Sequence, residues 1–517
     1  MEIARRALLQ SPLALALPPS PDLIRRENAK PGADWQLTNI YTNSPKRFRT
    51  SLIEGYCSNQ SVEAGDTLRI FVSVNPARRF SIDVFRLGYY GGAGARRITR
   101  LGPFRGKPQP DPTIGPNRLR ECRWEPSTEI TIPADWPSGV YLGRLECVAE
   151  SPSEHGWQSY VVFVVRDRRR AGILFQVSDN TWAAYNRWPD DYSLYTDPRH
   201  PWAPGVAASF DRPYGKYAQI YDHPQSVGSG EFLLWEFPLA YWLEQHGYDV
   251  TYCSNSDMID PDQFLRTKIF LSVGHDEYWD PRQYDGALAS VRAGTTHLYL
   301  CGNAVMGVTP FQPSYDGRNN RILSREGVFG GIYGDFGSWF KEPFPTEGPK
   351  ANKLIGAHSV YPFNSGGDWI CSSPRHWMFD GTGMKQGDSI PGLVGWEFHG
   401  DPPTFPVSKW WPAAMPSAAA SLLSNGRPPS IPAIAVTSSS TPPPSGGRKA
   451  FPPRPDTCCL GRTGCVLMGR IRAYNASREI SSNAACEQCR QKGTDSRCIA
   501  TSNSTSTALG RRPPDPV

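Results

Sequence analysis

All sixteen tryptophans and all nine histidines of this 517-residue chain lie at or before Trp411, and so does every phenylalanine except Phe451. Large rings supply much of the area that a core buries. The chain's packed core is therefore expected within its first 411 residues. Beyond Trp411, Pro, Ser and Ala dominate with no helical or strand period. Such a stretch cannot bury enough apolar surface to offset its ordering entropy. Residues 412–517 are expected to form a disordered tail, or to reflect a shifted reading frame, whose composition would be arbitrary. Six of the twelve cysteines crowd between Cys458 and Cys498 in that tail. Only one CxxC (486–489) occurs there, and no tail histidine, so the paired motifs of a zinc site are lacking.

Between Trp35 and Asp167 the pattern is that of short strands. "TLRIFVSV" (67–74), "FSIDVFRL" (80–87), "EITIPADW" (129–136), "GVYLGRLECV" (139–148) and "SYVVFVV" (159–165) are rich in β-branched and aromatic residues and are separated by Gly, Pro and Asp. Five such runs in succession predict an Ig-like β-sandwich over 35–168, after an N-terminal extension at 1–34.

From residue 169 the rhythm changes. Strands are expected at 173–178, 249–254, 268–274 and 297–302. Helices are expected at 231–247, interrupted at Pro238, and at 283–294. Strands alternating with helices predict an α/β domain over 169–411 with a mostly parallel sheet. In such sheets ligands bind beyond the carboxyl ends of the strands.

Several polar groups fall at those ends. "GHDEYW" (274–279) follows one strand. His275 and Glu277, two apart on extended backbone, face one side, and Asp276 turns away. The segment reads either as a site or as a polar turn. "DNTWAAYNRW" (179–188) follows another strand and presents Tyr185, as a pocket residue or as core. Asn303 follows a third, where an amide can donate to an oxyanion or simply form a turn. Glu397 in "GLVGWEFHG" reads as a general base or as a solvated strand carboxylate. Tyr141 in "WPSGVYLGRL" reads, on local pattern alone, as sandwich packing.

The charge of +6, without a dense Lys/Arg stripe, does not suit nucleic acid. No apolar run approaches the ~18 residues of a membrane span. The first residues hold two arginines and a short apolar stretch broken by Gln10, Ser11 and Pro12, a poor signal peptide. The remaining cysteines (Cys57, Cys122, Cys147, Cys253, Cys301 and Cys371) are scattered and read as buried thiols in a reducing compartment. A cytoplasmic location is therefore expected ahead of a secreted one.

Taken in order, "ENAKPGADWQL", "IEGYCSNQSV", "FRLGYYGGAGAR", "WPSGVYLGRL", "DNTWAAYN", "GHDEYW" and "CGNAVMG" resemble the large (beta) subunit of N,N-dimethylformamidase over roughly 27–411. The resemblance implies a class I glutamine amidotransferase-like fold for the α/β domain and hydrolysis of a small amide to an acid and an amine. It also implies one iron (Fe3+) held by two tyrosines and a glutamate, which fall on Tyr141, Tyr185 and Glu277. The catalytic groups fall on His275, Asn303 and Glu397. A small partner subunit or a homo-oligomer is compatible with it. The family's ordered strands beyond "VGWE" are replaced here by the Pro/Ser/Cys-rich tail. The alternatives are a non-catalytic small-molecule or carbohydrate-binding protein of the same fold, and an inactive homologue with an incomplete C-terminal region.

Overall fold

The computed structural model describes residues 22–39, 48–50, 52–149, 156–199, 203–215, 232–330, 347–359, 367–394, 399–400 and 436–437. All of them belong to one compact unit, Met1–Met468.

A short helix, α1 (Leu23–Asn28), precedes eight strands: β1 (Ile53–Cys57), β2 (Ser61–Val62), β3 (Thr67–Val74), β4 (Arg79–Leu87), β5 (Ala95–Arg105), β6 (Thr128–Thr131), β7 (Gly139–Cys147) and β8 (Gln158–Val165). They form two sheets, β1-β3-β6 and β2-β8-β7-β4-β5. One buried cluster draws on both: Ile53, Leu68, Ile70 and Val72 from the first sheet, with Ile82, Val84, Leu145, Val161 and Phe163 from the second.

Strands β1 and β5 lie outside the runs expected from the sequence. The "IEGYC" of β1 is buried along its whole length and carries Glu54. That carboxylate accepts from Arg49 Nε at 3.0 Å and from Trp188 Nε1 at 2.9 Å. The "ARRITRLGPFR" of β5 is an edge strand paired to β4. Charged side chains there discourage pairing with another chain.

The second half supplies β9 (Ile173–Gln176), α2 (Asp179–Tyr185), β10 (Val206–Ser209), a π-helical turn (Phe232–Glu236), α3 (Phe237–Gln245), β11 (Val250–Cys253), α4 (Asp262–Leu265), β12 (Ile269–His275), β13 (Tyr278–Trp279), α5 (Pro281–Arg292) and β14 (Thr296–Gly302). The expected break near Pro238 is real. The π turn ends at Glu236 and Pro238 falls in the first turn of α3, where its missing N–H is not needed. Helix α5 starts two residues before the expected point because Asp280 caps it, accepting the Arg282 N–H at 2.8 Å.

Strands β11, β9, β12 and β14 form a parallel sheet in that order. Val436–Thr437 pair antiparallel with β14 at its edge, inside the segment expected to lack structure. The fold is thus mixed α/β with several sheets, one of them parallel. The chain leaves β9 for β11 on one side, then crosses to β12 on the other. The carboxyl ends of β9 and β12 therefore flank the point where strand order reverses, the usual place for a crevice.

A buried clasp joins the two halves. Arg86 on β4 donates to Glu244 on α3 at 2.8 and 3.0 Å, and neither side chain is exposed. Glu244 also accepts from Tyr252 Oη at 2.9 Å and from Asn28 Nδ2 at 2.8 Å. Helix α1, placed in the N-terminal extension, is thereby part of the packed unit. Among the described residues no helix is long and apolar enough to cross a membrane, and Cys57, Cys122, Cys253, Cys301 and Cys371 are free thiols.

Candidate functional site

Two elements meet at the switch point. The end of β12 and the turn beyond it carry His275, Asp276 and Glu277; α2, which follows β9, carries Tyr185 as its last residue. Bonds between side chain and backbone register one against the other. The Glu277 N–H donates to Thr181 Oγ1 at 3.0 Å, and Asn180 Nδ2 donates to the Tyr278 carbonyl at 2.9 Å. The Glu277 carbonyl accepts the N–H groups of Met306 and Gly307 at 2.9 and 2.8 Å.

Glu277 is fully buried, and both its oxygens are engaged by phenols. Tyr185 donates to Oε2 at 2.8 Å; Tyr195 donates to Oε1 at 2.7 Å. The two phenol oxygens are themselves 2.8 Å apart, with their rings stacked at 4.4 Å. Tyr278 Oη also contacts Tyr195 Oη. His275 Nε2 lies 3.2 Å from Glu277 Oε2, the oxygen that Tyr185 takes. His275 and Glu277 therefore share one side, as the i, i+2 spacing requires. Burial, then the Glu277 charge and the neighbouring phenols, pushes the Tyr195 hydroxyl well above the ordinary tyrosine range.

Asp276 turns away into a separate buried network. It accepts from Gln176 Nε2 at 2.6 Å, Ser272 Oγ at 2.7 Å and Asn255 Nδ2 at 2.9 Å. Burial raises its carboxyl to about 6 against those lowering bonds. It ties three strand ends together.

Asn303 follows β14, whose Gly302 pairs with His275, so it sits at the neighbouring strand end. It is buried at a φ of 47°, and its Oδ1 has no hydrogen-bond partner among the described residues. Beside it the Ala304 N–H donates to His399 Nε2 at 2.9 Å. Glu397 lies outside the described residues. Cys301 is a packed thiol 3.2 Å from Ser272 Oγ, raised by burial, and not an exposed nucleophile.

Tyr141 is not brought to this cluster, which corrects its assignment as a metal ligand. It lies in the core between the two N-terminal sheets, stacked on Trp136 at 5.2 Å and on Phe163 at 5.5 Å. Its hydroxyl is committed to the Pro137 carbonyl at 2.8 Å. The second phenol at the carboxylate is Tyr195, which sequence reasoning missed. It sits in the loop after α2, folded back by the bond from the Leu194 N–H to the Ala184 carbonyl at 3.0 Å. Its one sequence signal is a tyrosine ten residues beyond Tyr185. Among the described residues no group of three or more His, Cys, Asp and Glu side chains is arranged to hold a metal. The donor set at this site owes two of its members to tyrosine.

A mixed α/β chain thus carries a phenol–carboxylate–imidazole cluster at the switch point of a parallel sheet. The chain belongs to the N,N-dimethylformamidase beta subunit-like, C-terminal family, whose model matches residues 81–447. That match runs past Trp411. No curated protein matches the chain. Among solved structures, a family 123 glycoside hydrolase from Clostridium perfringens is similar at 14% identity over 24% of this chain, with a TM-score of 0.11. The match spans 27% of that structure's own length, and so weak a likeness carries no argument.

Proposed function

We propose that the chain is a hydrolase that cleaves the C–N bond of a small amide, with one trivalent iron held by Tyr185, Tyr195 and Glu277. The observation that carries this reading is the convergence of two phenol hydroxyls on the two oxygens of one buried carboxylate. The donors fit the ion. Two phenolates and a carboxylate are hard, anionic oxygen ligands, which suit trivalent iron better than zinc. The two phenol oxygens, 2.8 Å apart, and the Glu277 carboxylate lie close enough together to be shared by one cation. Bound there, iron supplies Lewis acidity toward an amide carbonyl or a water.

The protein's own groups would do the rest. His275, beside Glu277, is placed to hold the substrate and exchange a proton through its imidazole. Asn303 offers an amide at the adjacent strand end to steady negative charge on the carbonyl oxygen. Glu397 is assigned by resemblance to take the proton of the attacking water. The family supports the amide class of substrate. An Ig-like N-terminal sandwich and a glutamine amidotransferase-like second half are the finer fold readings that accompany it. A reducing, cytoplasmic setting fits the buried free thiols of Cys57, Cys122, Cys253 and Cys371, and a small partner subunit or a second copy would complete the assembly.

The test is elemental analysis with a visible spectrum of the purified chain. Stoichiometric iron with a tyrosinate-to-iron charge-transfer band is expected. A chain that stays colourless and iron-free after anaerobic iron loading and reoxidation removes this reading.

A further inference from the structure

We propose that Glu236 is a positioning residue for this site: its carboxyl fixes the helix carrying Tyr185 against the strand carrying His275 and Glu277. The inference rests on reading the Tyr185–Glu277 pair as the site.

Glu236 is the last residue of the π-helical turn and is fully buried. A π turn inserts an extra residue into a helix, and such turns recur at functional sites. Here the turn delivers a carboxyl between two site-bearing elements. Its Oε1 accepts the Trp182 Nε1–H at 2.8 Å, in the middle of α2. Its Oε2 accepts the Ser178 N–H at 3.2 Å, just before α2 begins. Ser178 in turn donates its hydroxyl to the Val273 carbonyl of β12 at 2.6 Å.

The side chain rests on Gly274, the residue before His275. Gly274 has a φ of +84°, and a Cβ there would come within 2.7 Å of Glu236 Cγ and 3.0 Å of Trp235 Cβ. The glycine is thus a notch cut for this carboxyl. Trp182 and Tyr185 are three apart on α2, neighbours on one face of the helix. Holding the Trp182 indole sets the rotation of α2, and with it where the Tyr185 hydroxyl reaches Glu277. Burial, helped by the charges of Asp276 and Asp179, holds the Glu236 carboxyl well above the ordinary range against its two N–H bonds. Glutamine is a near-isostere that keeps one acceptor and loses the other.

The test is a double-mutant cycle on the full chain without added metal, read by urea unfolding. The variants are Glu236→Gln, Tyr185→Phe and the two combined. Glu236 touches Trp182 and Ser178 rather than the Tyr185 hydroxyl, so a merely local role predicts that the two losses multiply. Positioning predicts that the double variant falls short of that product by roughly threefold or more in the unfolding constant. Losses that multiply within error overturn the proposal. Glu236→Gln combined with Tyr56→Phe, in a separate cluster, should multiply. If Glu236→Gln does not fold, Trp182→Phe removes the same bond from the other end and closes the same cycle. Iron loading separates the two readings. A wild-type chain that takes up no iron sinks the metal assignment, while the cycle still decides the role of Glu236.

Discussion

Tyr195 donates to Glu277 Oε1 over 2.7 Å, the oxygen opposite the one that Tyr185 takes. This makes Tyr195 and Tyr141 separable by experiment. Tyr195→Phe removes a donor at the carboxylate, and bound iron should fall by roughly tenfold or more with the visible band lost. Tyr141→Phe should leave iron and colour intact. It should cost about 1 kcal/mol of stability for the bond to the Pro137 carbonyl. Metal content and urea midpoints of the two variants decide it. Loss of iron in Tyr141→Phe with retention in Tyr195→Phe would reverse the assignment.

The two halves of this site differed in how legible they were. His275 and Glu277 could be paired from the sequence because extended backbone fixes the side to which residues two apart point. Tyr185 could be placed because it follows a strand whose apolar run is plain. Tyr195 could not, because it sits in an irregular loop whose course is set by tertiary bonds such as that from Leu194 to Ala184. No periodicity records such a bond. Tyr141 misled for the opposite reason: its motif is conspicuous, but local pattern already read it as packing, and the structure agrees. Of the fold, the runs rich in β-branched and aromatic residues were readable. β1 and β5 were not, because a buried Glu54 and a run of edge arginines mask their strand pattern.

His275 and Glu277 should fail in different ways. The imidazole is 3.2 Å from Glu277 Oε2, the oxygen that Tyr185 takes. His275→Ala should keep iron and its band while amide turnover falls by ~10²-fold or more, the range for a positioned acid–base group. Glu277→Ala should lose both, since it removes the partner of both phenols. Equal iron loss in the two variants would make His275 a ligand instead.

Arg86 and Glu244 supply a stability prediction. Both are fully buried, and the guanidinium also donates to the Ser138 carbonyl at 2.8 and 3.1 Å. Truncating one partner leaves a charge stranded away from water, which typically costs about 3–5 kcal/mol. Arg86→Met should therefore destabilise strongly. The double variant Arg86→Met with Glu244→Gln should recover much of the loss, because no net charge stays buried. Urea unfolding of the three chains checks this. A double variant that loses the full sum of the two single losses would show that the clasp acts through packing rather than charge.

His297 makes stability depend on pH in a defined direction. The ring lies between strand and helix, with Nε2 2.8 Å from Ser290 Oγ, Nδ1 3.1 Å from Tyr299 Oη, and a face stacked on Phe264 at 5.7 Å. Burial without a carboxylate partner pushes its pKa down to about 3. The unfolded chain takes up the proton near the ordinary value of about 6.5. Between those two points the unfolded state therefore binds the extra proton, and stability falls as pH falls. The contribution is complete above about 6.5 and is lost at up to about 1.4 kcal/mol per pH unit below it. In His297→Gln this slope disappears, whatever the variant's baseline stability. Urea midpoints at pH 7, 6 and 5 for both chains should converge as pH falls, and parallel profiles would mean that His297 is not buried neutral.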